Sequence, residues 1–266
     1  MIGRLFAAAV TTPVLAAGAL GVSHTAAPTT TRYRIESKTE QVVDLSAMGQ
    51  ANQTSSFTQL ALITITISDS SGGKLMHVVI DSVATDAPVP GASEAAAKAK
   101  GAWLHGLVDD WGRTKIVKTS ADSSDLIGQL KASLGRFFPV VRPGSKQGDS
   151  WIDTSNVDTK TAQQAVKSVT VTTYTHAGAQ PHEGQTVTRI DASSSTTGAG
   201  TMENPMAGTM ELEISDKGTE TFYLSPDGRY LGGEGKSEGL SKVKTAMSPE
   251  PIPVKLTRTT SVTIVK

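Results

Sequence analysis

The sequence predicts a mainly β protein with one or two helices (α+β), whose long antiparallel strands form a curved sheet or half-barrel. Three observations carry that prediction. Thr, Ser, Gly and Val are abundant while aromatic residues make up only 5% of the 266-residue chain; β-branched residues favour strands, and Gly, Ser and Pro punctuate turns. Apolar and polar residues alternate with period two in several segments, as a strand with one buried face requires. Turn signals recur between those segments.

TRYRIESKTEQVVDL (31–45) places Tyr33 and Ile35 on one parity and charged residues on the other. LALITITIS (60–68) alternates Ile63, Ile65 and Ile67 with Thr64 and Thr66. A turn at 68–74 leads to LMHVVIDSV (75–83), with Met76, Val78 and Ile80 on one side, so these segments read as a hairpin. The Pro/Gly-rich loop at 86–101 ends in an Ala-rich stretch of helical composition. WLHGLV and TKIVKTS then flank the turn motif DDWGR. ADSSDLIGQLKASLGRFF (121–138) has Leu126, Ile127, Leu130, Leu134 and Phe137 at helical spacing, and predicts a central helix at about 123–138 packed on the sheet. Phe138-Pro139 stops it.

A seam at 139–153 opens a second β-rich half. KSVTVTTYTH (167–176) and TVTRIDASSS (186–195) read as paired strands around a loop AGAQPHEG, and SSSTTGAGTMENP (193–205) reads as a low-complexity loop. GTMELEIS alternates Met210, Leu212 and Ile214 with Glu211 and Glu213; SDKG reads as a turn, SPDGR as another, and VKLTRTTSVTIVK as the final strand. DDWGR and SPDGR echo one another, each with an acidic residue before Gly-Arg, and Gly112 and Gly228 supply the positive φ of a tight turn. The chain is therefore expected to hold a signal peptide at 1–27 and one β-rich domain at 28–266, with similar halves at 28–142 and 143–266.

The first 27 residues carry one early cation, Arg4, an apolar run from Leu5 to about Val22, and small residues at Ala17-Gly18-Ala19 or Thr25-Ala26-Ala27. That is the pattern of a secretory signal, and an uncleaved anchor is the alternative. The expectation is export to the periplasm or exterior, with no stable transmembrane span after cleavage. The chain has no cysteine, which excludes disulfides, thiolate metal sites and a cysteine nucleophile. Lys+Arg and Asp+Glu are 25 each, and no basic stripe is present, which argues against a nucleic-acid partner.

The chemistry-bearing motifs are sparse. Asp109 and Asp110 are adjacent, so on a strand they point to opposite faces and cannot flank one glycosidic bond; turn chemistry explains them better. YLGGEGKS (230–237) ends like a phosphate loop, but Tyr230 stands where the leading glycine belongs, and a glycine-rich strand or turn explains it. Ser71–Lys74 and Ser241–Lys244 have Ser-x-x-Lys spacing without the companion motifs of penicillin-interacting enzymes. His176, His182 and Glu183 share one loop and are the metal candidates. No catalytic residue, resident metal or cofactor is expected.

Over residues 100–155, the Gly-led strand with its DDWGR turn, the helix ending in FFPVV and the GSKQGDSW element resemble an uncharacterised family of bacterial secreted β-rich proteins. The order of long strands with one central helix is similar, at the level of fold, to LolA/LppX-like periplasmic lipoprotein carriers. That resemblance implies an interior facing acyl chains, with Trp103, Phe137, Phe138 and Trp151 as ligand-binding residues; the alternative is that these four fill the core. The reading is an exported, non-enzymatic envelope protein holding an apolar or lipid-like ligand in a concave sheet, with a hydrophobic small molecule, a lipid or a cell-envelope protein as partner. A structural or protein-interaction module with a filled core is the alternative, and a hydrolase with dispersed catalytic residues is the third reading.

Overall fold

The computed structural model describes residues 27–70, 73–88, 91–120, 130–131, 133–160, 164–204, 208–245, 248 and 250–265. The predicted signal segment, but for residue 27, and residues 123–129 and 132 of the predicted central helix lie outside the described residues. Eleven strands and a short helix follow in the order β1 (Thr29–Val43), β2 (Gln53–Ser70), β3 (Gly73–Thr85), α1 (Ala92–Lys98), β4 (Trp103–Val108), β5 (Thr114–Thr119), β6 (Ser150–Lys160), β7 (Gln164–His182), β8 (Gln185–Asn204), β9 (Gly208–Leu224), β10 (Tyr230–Lys244) and β11 (Ile252–Ile264).

All eleven join one sheet in the order β5-β4-β3-β2-β1-β11-β10-β9-β8-β7-β6. Strands that follow one another in sequence pair antiparallel, except that β5 and β6 do not pair, and β1 and β11 also pair with each other, Tyr33 opposite Ile264. The first and last strands thus meet in mid-sheet, and β5 and β6 form the two edges. The sheet is open and curled. Its two ends are bridged by Arg113, beside β5, which reaches Asp153 on β6 at 2.8 Å.

Alternation decides which face turns inward. Tyr33 stands opposite Ile63, and Ile63 opposite Ile80; all three are buried. Burying each such side chain contributes about 1.5–3 kcal/mol, and a slip of one residue would turn every one of them to water. The predicted hairpin of 60–83 is the β2–β3 pair, and Met210, Leu212 and Ile214 share one face of β9 with Glu211 and Glu213 on the other.

Three predicted connections are instead strand. Of the loop expected at 193–205, residues 193–204 are the second half of β8, paired residue for residue with β7 from Ser193 opposite Thr173 to Met202 opposite Gln164. The expected turn SDKG lies inside β9, where Asp216 faces Thr196 and Gly218 faces Ser194. The expected loop AGAQPHEG continues β7 to His182, leaving a two-residue turn at Glu183 and Gly184, both with positive φ, as a type I′ hairpin requires. The curl explains the composition of these stretches. A Cβ at Gly200 would sit 2.2 Å from the Ala165 carbonyl oxygen, and one at Gly233 would sit 2.3 Å from that of Thr221. Only glycine permits so close an approach between coiled strands.

Of the predicted central helix, residues 130, 131, 133 and 134 are helical. Leu134 is buried, and Leu130 packs against the core from partial burial. The Ala-rich stretch forms α1, which buries Ala96. Among the described residues, no helix is long and apolar enough to cross a membrane.

Candidate functional site

The inner face of the curled sheet falls into three zones. One end is filled. The chain leaving the helical turn crosses between the sheet edges, and its Phe137 places its ring edge-on to Tyr33 at 5.1 Å and to Tyr230 at 5.4 Å. Phe138 meets Tyr230 at 5.8 Å, and Trp151 stacks on Tyr174 at 5.9 Å. Backbone acceptors satisfy the polar tips: Tyr33 Oη donates to the Tyr230 carbonyl at 2.9 Å and Trp151 Nε1 to the Val140 carbonyl at 2.9 Å. The Val141 amide donates to the Trp111 carbonyl at 2.7 Å, tying the crossover to the DDWGR turn. Burial pushes the Tyr33 and Tyr174 phenols up to about 12 and raises Tyr230 further, because the charged form loses its water.

Beyond this aromatic plug lies a girdle of small and polar residues. Arg136 donates to Thr170 Oγ1 at 3.0 Å, and Thr170 bonds Thr196 across the strands at 2.8 Å. Glu220 stands on the same face, opposite Gly235 and Ala192. It keeps contact with solvent, yet desolvation by its surroundings raises its carboxyl above the ordinary value, against the opposing pull of Arg136. A carboxylate that is both wetted and crowded is what an open concavity produces. Ser155 Oγ, on the inner face of β6, is buried with no hydrogen-bond partner among the described residues.

The third zone is apolar and half-buried. Phe57, Leu256, Val243, Leu212, Ile214 and Val166 sit on the inner parity of their strands. All but Phe57 have a charged outward neighbour, with Lys244 paired to Glu211 at 3.6 Å. In a sheet with a fully packed core these positions would be covered; here they retain solvent contact.

The structure brings Phe137, Phe138 and Trp151 to one end of the inner face and separates Trp103 from them. Trp103 alternates with Leu104, which is fully buried, and so stands on the outer face. There it lies edge-on to His105 at 4.7 Å, with Lys118 over its ring at 5.7 Å. His105 in turn faces His77, Nε2 to Nδ1 at 3.1 Å. Burial, and then the charge of His105, hold His77 below the ordinary imidazole range.

The three metal candidates do not converge. His176 lies beside Ser145, its Nδ1 3.4 Å from Ser145 Oγ. His182 stacks on Tyr223 at 3.7 Å, six residues along β7, which is roughly 20 Å of strand. Glu183 occupies the hairpin turn. Among the described residues no three His, Asp or Glu side chains gather as metal ligands. Asp109 serves its turn: its carboxylate accepts from the Trp111 and Arg113 amides, both at 2.9 Å.

Sequence reading missed the polar girdle. Its residues look like loop composition in one dimension and become an inner wall only through the register. The one available signal was parity: Gly233, Gly235, Ser237 and Gly239 fall on alternate positions of a single strand.

No family model matches the chain, and no curated protein matches it. Among solved structures, a triple mutant of the Rhodopseudomonas blastica porin aligns at 8% identity over 88% of this chain and all of its own, with a TM-score of 0.30. A second mutant of that porin aligns at 11% identity over the same shares, with a TM-score of 0.28. The outer-membrane expressed OmpT of Vibrio cholerae aligns at 6% identity over 89% of this chain and 98% of its own, with a TM-score of 0.19. Likenesses this distant establish neither fold nor function for the chain.

Proposed function

We propose that this is an exported, non-enzymatic envelope protein that holds an apolar or lipid-like ligand in the open part of its concave sheet. One observation carries the reading: the inner face is filled by aromatic residues at one end only. At the other end Phe57, Leu212, Ile214, Val243 and Leu256 line the same face and remain solvent-accessible. An apolar ligand laid there buries surface that the fold itself leaves wet, at about 25 cal/mol per Å². The girdle between the two zones offers hydrogen bonds to a polar group at the ligand's end. The N-terminal signal pattern supports export.

The test is binding of a fluorescent fatty acid to delipidated protein. The reading expects saturable uptake at one site, competed by unlabelled fatty acid, and weakened by an aspartate at position 212 or 214. Delipidated protein that takes up no probe overturns it. The filled aromatic end favours a second reading, a scaffold or interaction module, and that reading expects no uptake together with capture of an envelope partner.

A further inference from the structure

We propose that His77 and His105 form a binding site for a divalent transition-metal ion, copper(II) by preference, on the outer face of the sheet. This site is independent of the concave-face reading. β3 and β4 pair antiparallel with His77 directly opposite His105. Their side chains therefore leave the same face at adjacent positions, and cross-strand pairs of this kind interact most strongly. The rings do not stack flat. They tilt by 55° with centroids 4.5 Å apart, which brings Nδ1 of His77 to 3.1 Å from Nε2 of His105.

That separation suits a shared metal ion. An ion about 2.05 Å from each nitrogen sees two donors 3.1 Å apart at an angle of about 98°. The angle lies between the roughly 90° of tetragonal copper(II) and the roughly 109° of tetrahedral zinc(II). Among divalent ions copper(II) binds nitrogen donors most tightly, and imidazole suits it. In the metal-free pair one ring donates its N–H to the other. Metal entry moves that proton to the same ring's other nitrogen, so both facing lone pairs are available and neither ring need become charged. Water completes the coordination.

The neighbours are consistent with a site of moderate affinity. Strand pairing fixes both backbones, which lowers the ordering cost of binding. His105 faces solvent, so an ion can enter without opening the fold. Lys118, opposite His105 on β5, and Lys115, opposite Leu107, are cations of this face; the Lys118 ammonium lies over the Trp103 ring, and their repulsion weakens the site without blocking it. Trp103, 4.7 Å from the His105 ring, is a built-in reporter.

The experiment is titration of copper(II) chloride into the chelator-treated full chain in a non-coordinating buffer. Tryptophan emission and electron paramagnetic resonance are the readouts. One equivalent of moderate affinity is expected, quenching Trp103 and giving the spectrum of two nitrogen donors. H77Q and H105Q each bind copper(II) about 100-fold more weakly, since the second imidazole acts as an intramolecular donor only when both are present. H182Q keeps wild-type affinity, and W103F keeps the affinity while losing most of the quenching. Equal copper(II) affinity in wild type and H77Q overturns the proposal, as does a loss in H182Q equal to that in H77Q. Both histidines have solvent contact, so unchanged melting of the metal-free variants accompanies the result.

Discussion

Arg113 and Asp153 join the two edges of an open sheet. Arg113 Nε lies 2.8 Å from Asp153 Oδ1, forty residues on in sequence and ten strands away across the sheet order. Arg113 comes from the turn that opens β5, and Asp153 from the inner face of β6. The carboxylate is only 15% exposed, whereas the guanidinium is 42% exposed and also lies 3.5 Å from Asp109. The pair holds the Arg113 guanidinium above its ordinary pKa, chiefly through its hydrogen bond to Asp153.

Arg113→Ala leaves the Asp153 carboxylate largely buried without its cation. Losing a charge-assisted hydrogen bond of this kind costs about 1–2 kcal/mol, the exposed arginine end keeping it at the lower side. Urea unfolding reads that loss. Hydrogen exchange of the β5 and β6 amides reads the local consequence, faster opening at the two edges than in β1 and β11. A variant with wild-type stability and unchanged edge protection would show that the crossover alone holds the edges together.

Tyrosine ionisation sets an alkaline limit. All four tyrosines are raised, Tyr33 and Tyr174 from 10.0 to about 12, with desolvation the leading cause. In the unfolded chain each ionises near its ordinary value, so above about pH 10 the folded state binds more protons than the unfolded one. Stability therefore falls as pH rises, by up to about 1.4 kcal/mol per pH unit for each buried phenol. Below pH 9 these groups add no pH dependence. Phenolate absorbance from the buried Tyr33, Tyr174 and Tyr230 should stay near zero at pH 10, Tyr223 alone being open to solvent, and then appear together with loss of far-ultraviolet strand signal. Gradual ionisation of more than one tyrosine in a still-folded protein between pH 9 and 10.5 contradicts the buried cluster.

The strands with an apolar inner face were legible in one dimension. Ile63, Ile65 and Ile67 declare a buried face by period alone, as do Leu212 and Ile214. The girdle was not legible, for a physical reason. Ser194, Thr196, Gly198 and Gly200 face inward where the sheet coils tightly and leaves little room for side chains. Small residues read as loop because local propensity is all that one dimension offers, whereas β8 owes its strand to pairing with β7 and β9 along most of its length. Trp103 shows the opposite failure. A large aromatic suggests the core, yet the neighbouring Leu104 takes the inner place and leaves the indole outside. The echo of DDWGR in SPDGR proved to be shared geometry. Asp109 and Ser225 each pair their amide with the carbonyl four residues on, accept the glycine amide at their carbonyl, and accept the arginine amide at their side-chain oxygen.

That shared turn plan separates two glycines. Gly112 and Gly228 have nearly the same φ, 84° and 83°. A Cβ at Gly228 meets nothing within 4 Å, whereas one at Gly112 would stand 2.7 Å from the Pro139 carbonyl oxygen. Gly228→Ala should cost only the left-handed backbone penalty, about 1 kcal/mol. Gly112→Ala adds the displacement of the crossover and should cost about 2–3 kcal/mol. Thermal unfolding of the two variants gives the difference directly. Equal losses would mean that the crossover is not held against the DDWGR turn.

Glu220 makes a prediction about the open concavity itself. Its carboxyl is raised by desolvation, so the folded state favours its protonated form, and the stability this contributes at low pH is lost as pH climbs through its folded pKa. Glu220→Gln removes that dependence. The variant should match wild type near pH 4 and exceed it in melting temperature at pH 7. A ligand whose polar end rests in the girdle should also feel the change: at pH 7, Glu220→Gln should tighten uptake of an anionic fatty-acid probe by removing a nearby negative charge, and leave uptake of a neutral analogue unchanged. Melting compared at the two pH values checks the first half, and probe titration with the charged and neutral ligands checks the second. Identical effects on both ligands would place the probe's polar end outside the girdle.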